Sequence, residues 1–133
     1  SKINLNNNPL RDEGIEAIAQ GLMENDTLEL SLYKNVHQSG LYPITVSLSA
    51  KQEVPHKVAL DGNVIGVDGA RSLSSGIRDN ETLTNLHLAD CLILEDGAKE
   101  LAKSLENKRN LLVLDLTNNK IMSDGCIAIC RSI

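Results

Sequence analysis

Aliphatic residues recur along this chain in a short, fixed frame. Leu5, Leu32, Leu60, Leu88 and Leu116 each stand two residues after another aliphatic residue, namely Ile3, Leu30, Val58, Leu86 and Leu114. Three residues further on come Asn8, Asn35, Asn63, Cys91 and Asn119, at intervals of 27, 28, 28 and 28. Alternation such as Leu86-His87-Leu88 predicts a strand with one face inward, because successive side chains leave a strand on opposite sides. Five strands are expected, centred near 3–5, 30–32, 58–60, 86–88 and 114–116.

A second period is locked to the first. Gly14, Gly69, Gly97 and Gly125 follow the Asn position by six residues and Gly40 by five. Behind them the apolar spacing becomes helical, as in Ala70, Leu73, Ile77 and in Ala98, Leu101, Ala102, Leu105. Each glycine is thus expected to open a helix. Asp12, Asp68, Asp96 and Asp124 lie within two residues of these glycines, where an acid favours the helix dipole and can cap the first turn. The second unit is irregular, with Pro43, Thr45 and Val46 in its helix position. Its Tyr42 and Val46 are expected to face outward as an apolar pair, either a tolerated irregularity or a lateral contact.

The whole chain, and most clearly Thr82 to Lys108 (TLTNLHLADCLILEDGAKELAKSLENK), resembles the leucine-rich repeat of the ribonuclease-inhibitor-like class. The resemblance implies an α/β fold, a right-handed β/α solenoid. Strands stack at about 4.8 Å while helices need about 10 Å, so such an array bends into a horseshoe arc. The parallel sheet lines the concave side and the helices the convex side. Residues 1–133 are expected to form one array of about five repeats, a fragment of a longer one, because neither end has a polar capping unit.

Composition narrows the function classes. Net charge is −5 with both signs interspersed and no basic run, so no nucleic-acid partner is expected. No apolar stretch reaches the roughly 18 residues of a membrane span, and no signal-peptide core opens the chain. Three cysteines, an odd number without a disulfide-cap spacing, point to a reducing, intracellular and cytoplasmic setting. Asn25 and Asn80 begin Asn-x-Thr triplets, but both fall where a helix should end and read more simply as helix terminators.

The frame also sorts candidate residues. Asn8, Asn35, Asn63, Cys91 and Asn119 should turn inward as a ladder that satisfies backbone groups of neighbouring coils. Cys91 can do part of this as a weak donor, or serve as a redox-sensitive thiol. Tyr33, Asp61, His87 and Asp115 point out of the concave sheet and are the candidate contact residues, set against the alternative of a solvated face. His37, His56 and His87 fall in different repeats and on different parts of the coil, while Cys126 and Cys130 take the places of Ala98 and Ala102, which face the core, and read as packing residues. Neither a metal site nor a cofactor is expected.

These readings lead to a non-catalytic protein-interaction or scaffold module of a larger intracellular protein. The resemblance covers nuclease inhibitors, NOD-like receptors and ciliary scaffolds. Nuclease inhibition is not expected, since the chain has one repeat type, no Trp and three Cys. The alternative is a GTPase-activating protein similar to the Ran GTPase activators, with Arg11 on a strand-to-helix loop.

Overall fold

In the computed structural model of the protein, residues 2–8, 10, 13–14, 17–18, 20–21, 29–34, 57–106 and 108–133 are described. Five strands, β1 (Lys2–Asn4), β2 (Glu29–Ser31), β3 (Lys57–Ala59), β4 (Asn85–His87) and β5 (Val113–Asp115), form one sheet in chain order. Every neighbouring pair is parallel, with Leu30 beside Val58, Val58 beside Leu86 and Leu86 beside Leu114. Helices α1 (Gly66–Ile77), α2 (Leu94–Leu105) and α3 (Met122–Ser132) follow β3, β4 and β5. The result is a solenoid of strand, turn and helix.

The strands lie one residue earlier than the sequence pattern places them, because the last leucine of each frame has left the regular strand while keeping its ladder bond. The N–H groups of Leu5, Leu32, Leu60 and Leu88 donate to the carbonyls of Ser31, Ala59, His87 and Asp115 in the next coil, at 3.1, 2.9, 2.9 and 2.9 Å. The sheet hydrogen bonding therefore continues into the turn.

The core is built in columns with the repeat period. Leu30, Val58 and Leu86 form one buried column; Leu32, Leu60 and Leu88 a second; Leu73, Leu101 and Ile129 a third. At the outer coils the columns thin out. Ile3 is exposed, Leu114, Leu116 and Ile121 are half-buried, and Leu112, Met122 and Ile127 face solvent.

The helices correct two sequence expectations. They begin three residues before the glycines, at Gly66, Leu94 and Met122, and the N-cap residues are Ile65, Ile93 and Ile121, none with a side-chain cap bond. Asp68, Asp96 and Asp124 therefore lie inside the first turn, where they complement the helix dipole without capping it. Gly97 and Gly125 serve instead as seats for the preceding helix: a Cβ on Gly97 would lie 3.1 Å from Ala70 Cβ, and one on Gly125 3.0 Å from Ala98 Cβ.

That seating also explains where the sequence pattern misplaces Cys126 and Cys130. Both are exposed. Cys126 is in the alanine column, but among the described residues no glycine of a further helix closes over it.

Candidate functional site

The turn after each strand has a fixed geometry. Asn7, Lys34, Gly62, Asp90 and Asn118, each one residue before the Asn-type position, all have left-handed φ between 53° and 71°. Four of these five are Asn, Asp or Gly, the residues that tolerate that conformation best. The sequence reading overlooked this column, although the residue types were there to show it.

The turn aims the next side chain into the coil. Asn63 is buried and its amide donates to the carbonyls of Leu32 (2.9 Å), Leu60 (2.6 Å) and Asp61 (3.4 Å). Asn119, also buried, donates to Leu88 O at 2.6 Å and Thr117 O at 3.1 Å. Its Oδ1 accepts the N–H groups of Cys91 at 2.9 Å and Ile93 at 3.2 Å, so one amide ties two coils together. Asn8 is exposed and bonds within its own coil, to Leu5 O and Asn6 O.

Cys91 keeps the ladder geometry with a thiol, Sγ donating to Leu60 O at 3.2 Å and Ala89 O at 3.3 Å. Burial pushes this thiol up from 9.0 to about 12. Because the folded-state value is the higher one, its contribution to stability is full below pH 9 and is lost as pH rises toward 12. A disulfide-exchange reagent at pH 8 should label Cys126 and Cys130 quickly and Cys91 at least a hundredfold more slowly, its rate set by unfolding. Three thiols reacting at one rate would contradict the ladder role of Cys91.

The concave face carries the candidate contacts. A depression of about 400 Å³ opens on it, lined by Lys2, Glu29, Lys57, Asp61 and His87 among others. Asp61, expected to be exposed, is half-buried because its Oδ1 reaches across to the next coil and accepts the Ala89 N–H at 2.7 Å. Asp115 Oδ1 accepts the hydroxyl of Thr117 at 2.6 Å and its N–H at 3.0 Å. Those two bonds hold the Asp115 carboxyl below the usual carboxylate value, against a smaller opposing effect of burial.

His87, on β4 between these acids, has Nδ1 4.0 Å from Asp115 Oδ2. Asp61, His87 and Asp115 each bring one donor atom within 4.8 Å of the others. The structure thus gathers three of the candidate contact residues into one half-buried cluster. Tyr33 is elsewhere, its ring over Gly62, where an added Cβ would lie 2.6 Å from Cε2, and with Lys34 Nζ 5.1 Å from the ring centre. Asn35, Tyr42, Val46, Arg11, His37, His56 and Asn25 lie outside the described residues. Asn80, the other Asn-x-Thr position, is buried, and its Oδ1 accepts the N–H groups of Thr82 and Leu83.

Comparison with known proteins agrees with this architecture. The family model described as "Leucine Rich repeat" matches residues 1–19 and 107–130. Among solved structures, the chain described as "Leiomodin-1 Actin-Binding Site 2 (ABS2)" superposes with a TM-score of 0.76 at 20% identity, over 98% of this chain and 76% of that one. With its repeated frame, ladder and parallel sheet, the chain has the fold of a leucine-rich repeat solenoid. No curated protein matches it in sequence. No helix among the described residues is long and apolar enough to cross a membrane.

Proposed function

We propose that the chain is a non-catalytic protein-interaction module of the ribonuclease-inhibitor-like class, which takes a protein partner on its concave sheet and serves as a scaffold within an intracellular protein. The observation that carries this reading is the sheet face that the described residues leave open. A parallel sheet is ordinarily covered on both sides, and here one side carries the helices while the other presents a depression with both charge signs, Lys2 and Lys57 beside Glu29 and Asp61. Such a mixed surface suits a polar protein patch with complementary charge. Two exposed thiols, Cys126 and Cys130, fit a reducing setting. The leiomodin-1 chain is described as an actin-binding site, but at 20% identity the likeness is one of fold and carries no particular partner to this chain.

The test compares two faces. Lys57→Glu with Asp61→Asn and His87→Ala alters the concave surface while keeping the Oδ1 acceptor of residue 61; Arg71→Ala with Lys103→Ala alters exposed side chains of α1 and α2. The concave variant should lower partner retention in a pull-down from cell extract at least about tenfold, or about 1.4 kcal/mol, with far-UV circular dichroism unchanged. Loss with the convex variant and not the concave one would move the docking site to the helices.

A further inference from the structure

We propose that Asp61, His87 and Asp115 form a binding site for a divalent transition-metal cation, zinc in the first instance, on the concave face. The inference goes beyond the interaction reading and stands whichever face a partner uses. The three residues come from successive coils: Asp61 just past β3, His87 on β4 and Asp115 on β5. Their donor atoms, one from each residue, lie within 4.8 Å of one another.

The carboxylates are held in the way metal-binding carboxylates usually are. In each, Oδ1 is fixed by hydrogen bonds, from Ala89 N to Asp61 and from Thr117 N and Oγ1 to Asp115. That anchoring orients the group and leaves Oδ2 for a ligand, as hydrogen bonds behind a metal ligand do. Asp115 Oδ2 is the oxygen that faces the His87 ring, 4.0 Å from Nδ1.

A second observation comes from the imidazole. His87 Nε2 is buried and has no hydrogen-bond partner among the described residues. A buried polar atom without a partner costs on the order of 1 to 3 kcal/mol, so the protein alone leaves one nitrogen of the His87 ring unsatisfied, and one of the two ring nitrogens is the donor that falls within the cluster.

The chemistry of the donors selects the cation. Two carboxylates supply a charge of −2, which a divalent ion neutralises, and an imidazole nitrogen favours zinc and its neighbours over calcium or magnesium. Zinc bound by three protein ligands at about 2.0 to 2.2 Å, with water in the fourth place, needs donor atoms about 3.3 Å apart. The closure required is about 1.5 Å, within reach of side-chain torsions on an open face. The fourth position would face the concave depression that Asp61 and His87 line.

The experiment is a zinc titration of the full chain carrying Cys126→Ser and Cys130→Ser, so that the two exposed thiols cannot supply the binding. Calorimetry should show one zinc per chain and thermal denaturation a higher midpoint with zinc. Asp61→Asn, His87→Ala and Asp115→Asn should each weaken binding at least tenfold, while Asp68→Asn on the convex side should not. Cobalt in place of zinc should give weak visible bands without a thiolate charge-transfer band. The asparagine variants keep the Oδ1 acceptor, so they remain informative if His87→Ala folds poorly. No saturable zinc binding by the chain without the two exposed thiols, affinity in the three site variants equal to that of the parent chain, or tighter binding of calcium than of zinc would each overturn the proposal.

Discussion

Asn119→Ala should cost about 3 to 5 kcal/mol, since each buried backbone group it abandons is worth roughly 1 to 3 kcal/mol. The amide accepts from Cys91 N and Ile93 N and donates to Leu88 O and Thr117 O. Alanine leaves the two N–H groups and Leu88 O without this partner inside the coil, and water is excluded there, because Asn119 is only 2% exposed. Asn119→Asp keeps the acceptor and loses the donors, so it should fall between wild type and alanine. Asn63→Ala should also destabilise strongly, for its amide bridges Leu32 O and Leu60 O. Asp61→Ala should cost less than either, because that half-buried side chain gives up one bond from Ala89 N. Urea denaturation midpoints measure the order directly, and an Asp61→Ala midpoint at or below that of Asn119→Ala would refute the ladder as the main polar support of the fold.

At Asn63, Cys91 and Asn119 the ladder was legible in the sequence because its signal is periodic and each residue serves the same local turn; Asn8, exposed and bonded only within its own coil, departs from it. The strands were legible for the same reason, offset by one residue, since an alternating pattern marks inward leucines while the strand itself is delimited by backbone bonds. Helix starts were less so. The glycines catch the eye as helix openers, yet Gly97 and Gly125 are glycine because Ala70 and Ala98 sit against them. That is a contact between residues 27 apart, invisible to a reading of local propensity.

Cys126 and Cys130 show the limit of treating every repeat as an interior one: the column they share with Ala98 and Ala102 is buried only where another helix closes it. The acid–histidine cluster was hidden for a different reason. Asp61 belongs to another frame position than His87 and Asp115, and it reaches them because its carboxylate leans across to Ala89 in the next coil. No spacing rule within one repeat encodes that approach.

The helix seat leads to the other large effect. Gly97→Leu should destabilise by about 3 kcal/mol or more, at or beyond the upper end for overpacked cores, and Gly97→Ala by about 1 to 3 kcal/mol less any gain in helix propensity, which is at most about 1 kcal/mol. A Cβ at residue 97 would lie 2.9 Å from Ile93 Cγ2, 3.1 Å from Ala70 Cβ and 3.4 Å from Val67 Cα. The Ile93 methyl belongs to a fully buried side chain and Val67 Cα to the backbone of α1, so neither can yield without moving a helix. Only Ala70 can be trimmed. Ala70→Gly combined with Gly97→Ala should therefore recover part of the loss, making the pair less destabilising than the sum of the two single changes. Gly21→Ala is the control: an added Cβ there meets nothing within 4 Å, so it should be neutral or mildly stabilising. Melting temperatures of the five variants test the seat, and strict additivity of Ala70→Gly and Gly97→Ala would show that α1 and α2 do not meet through these two residues.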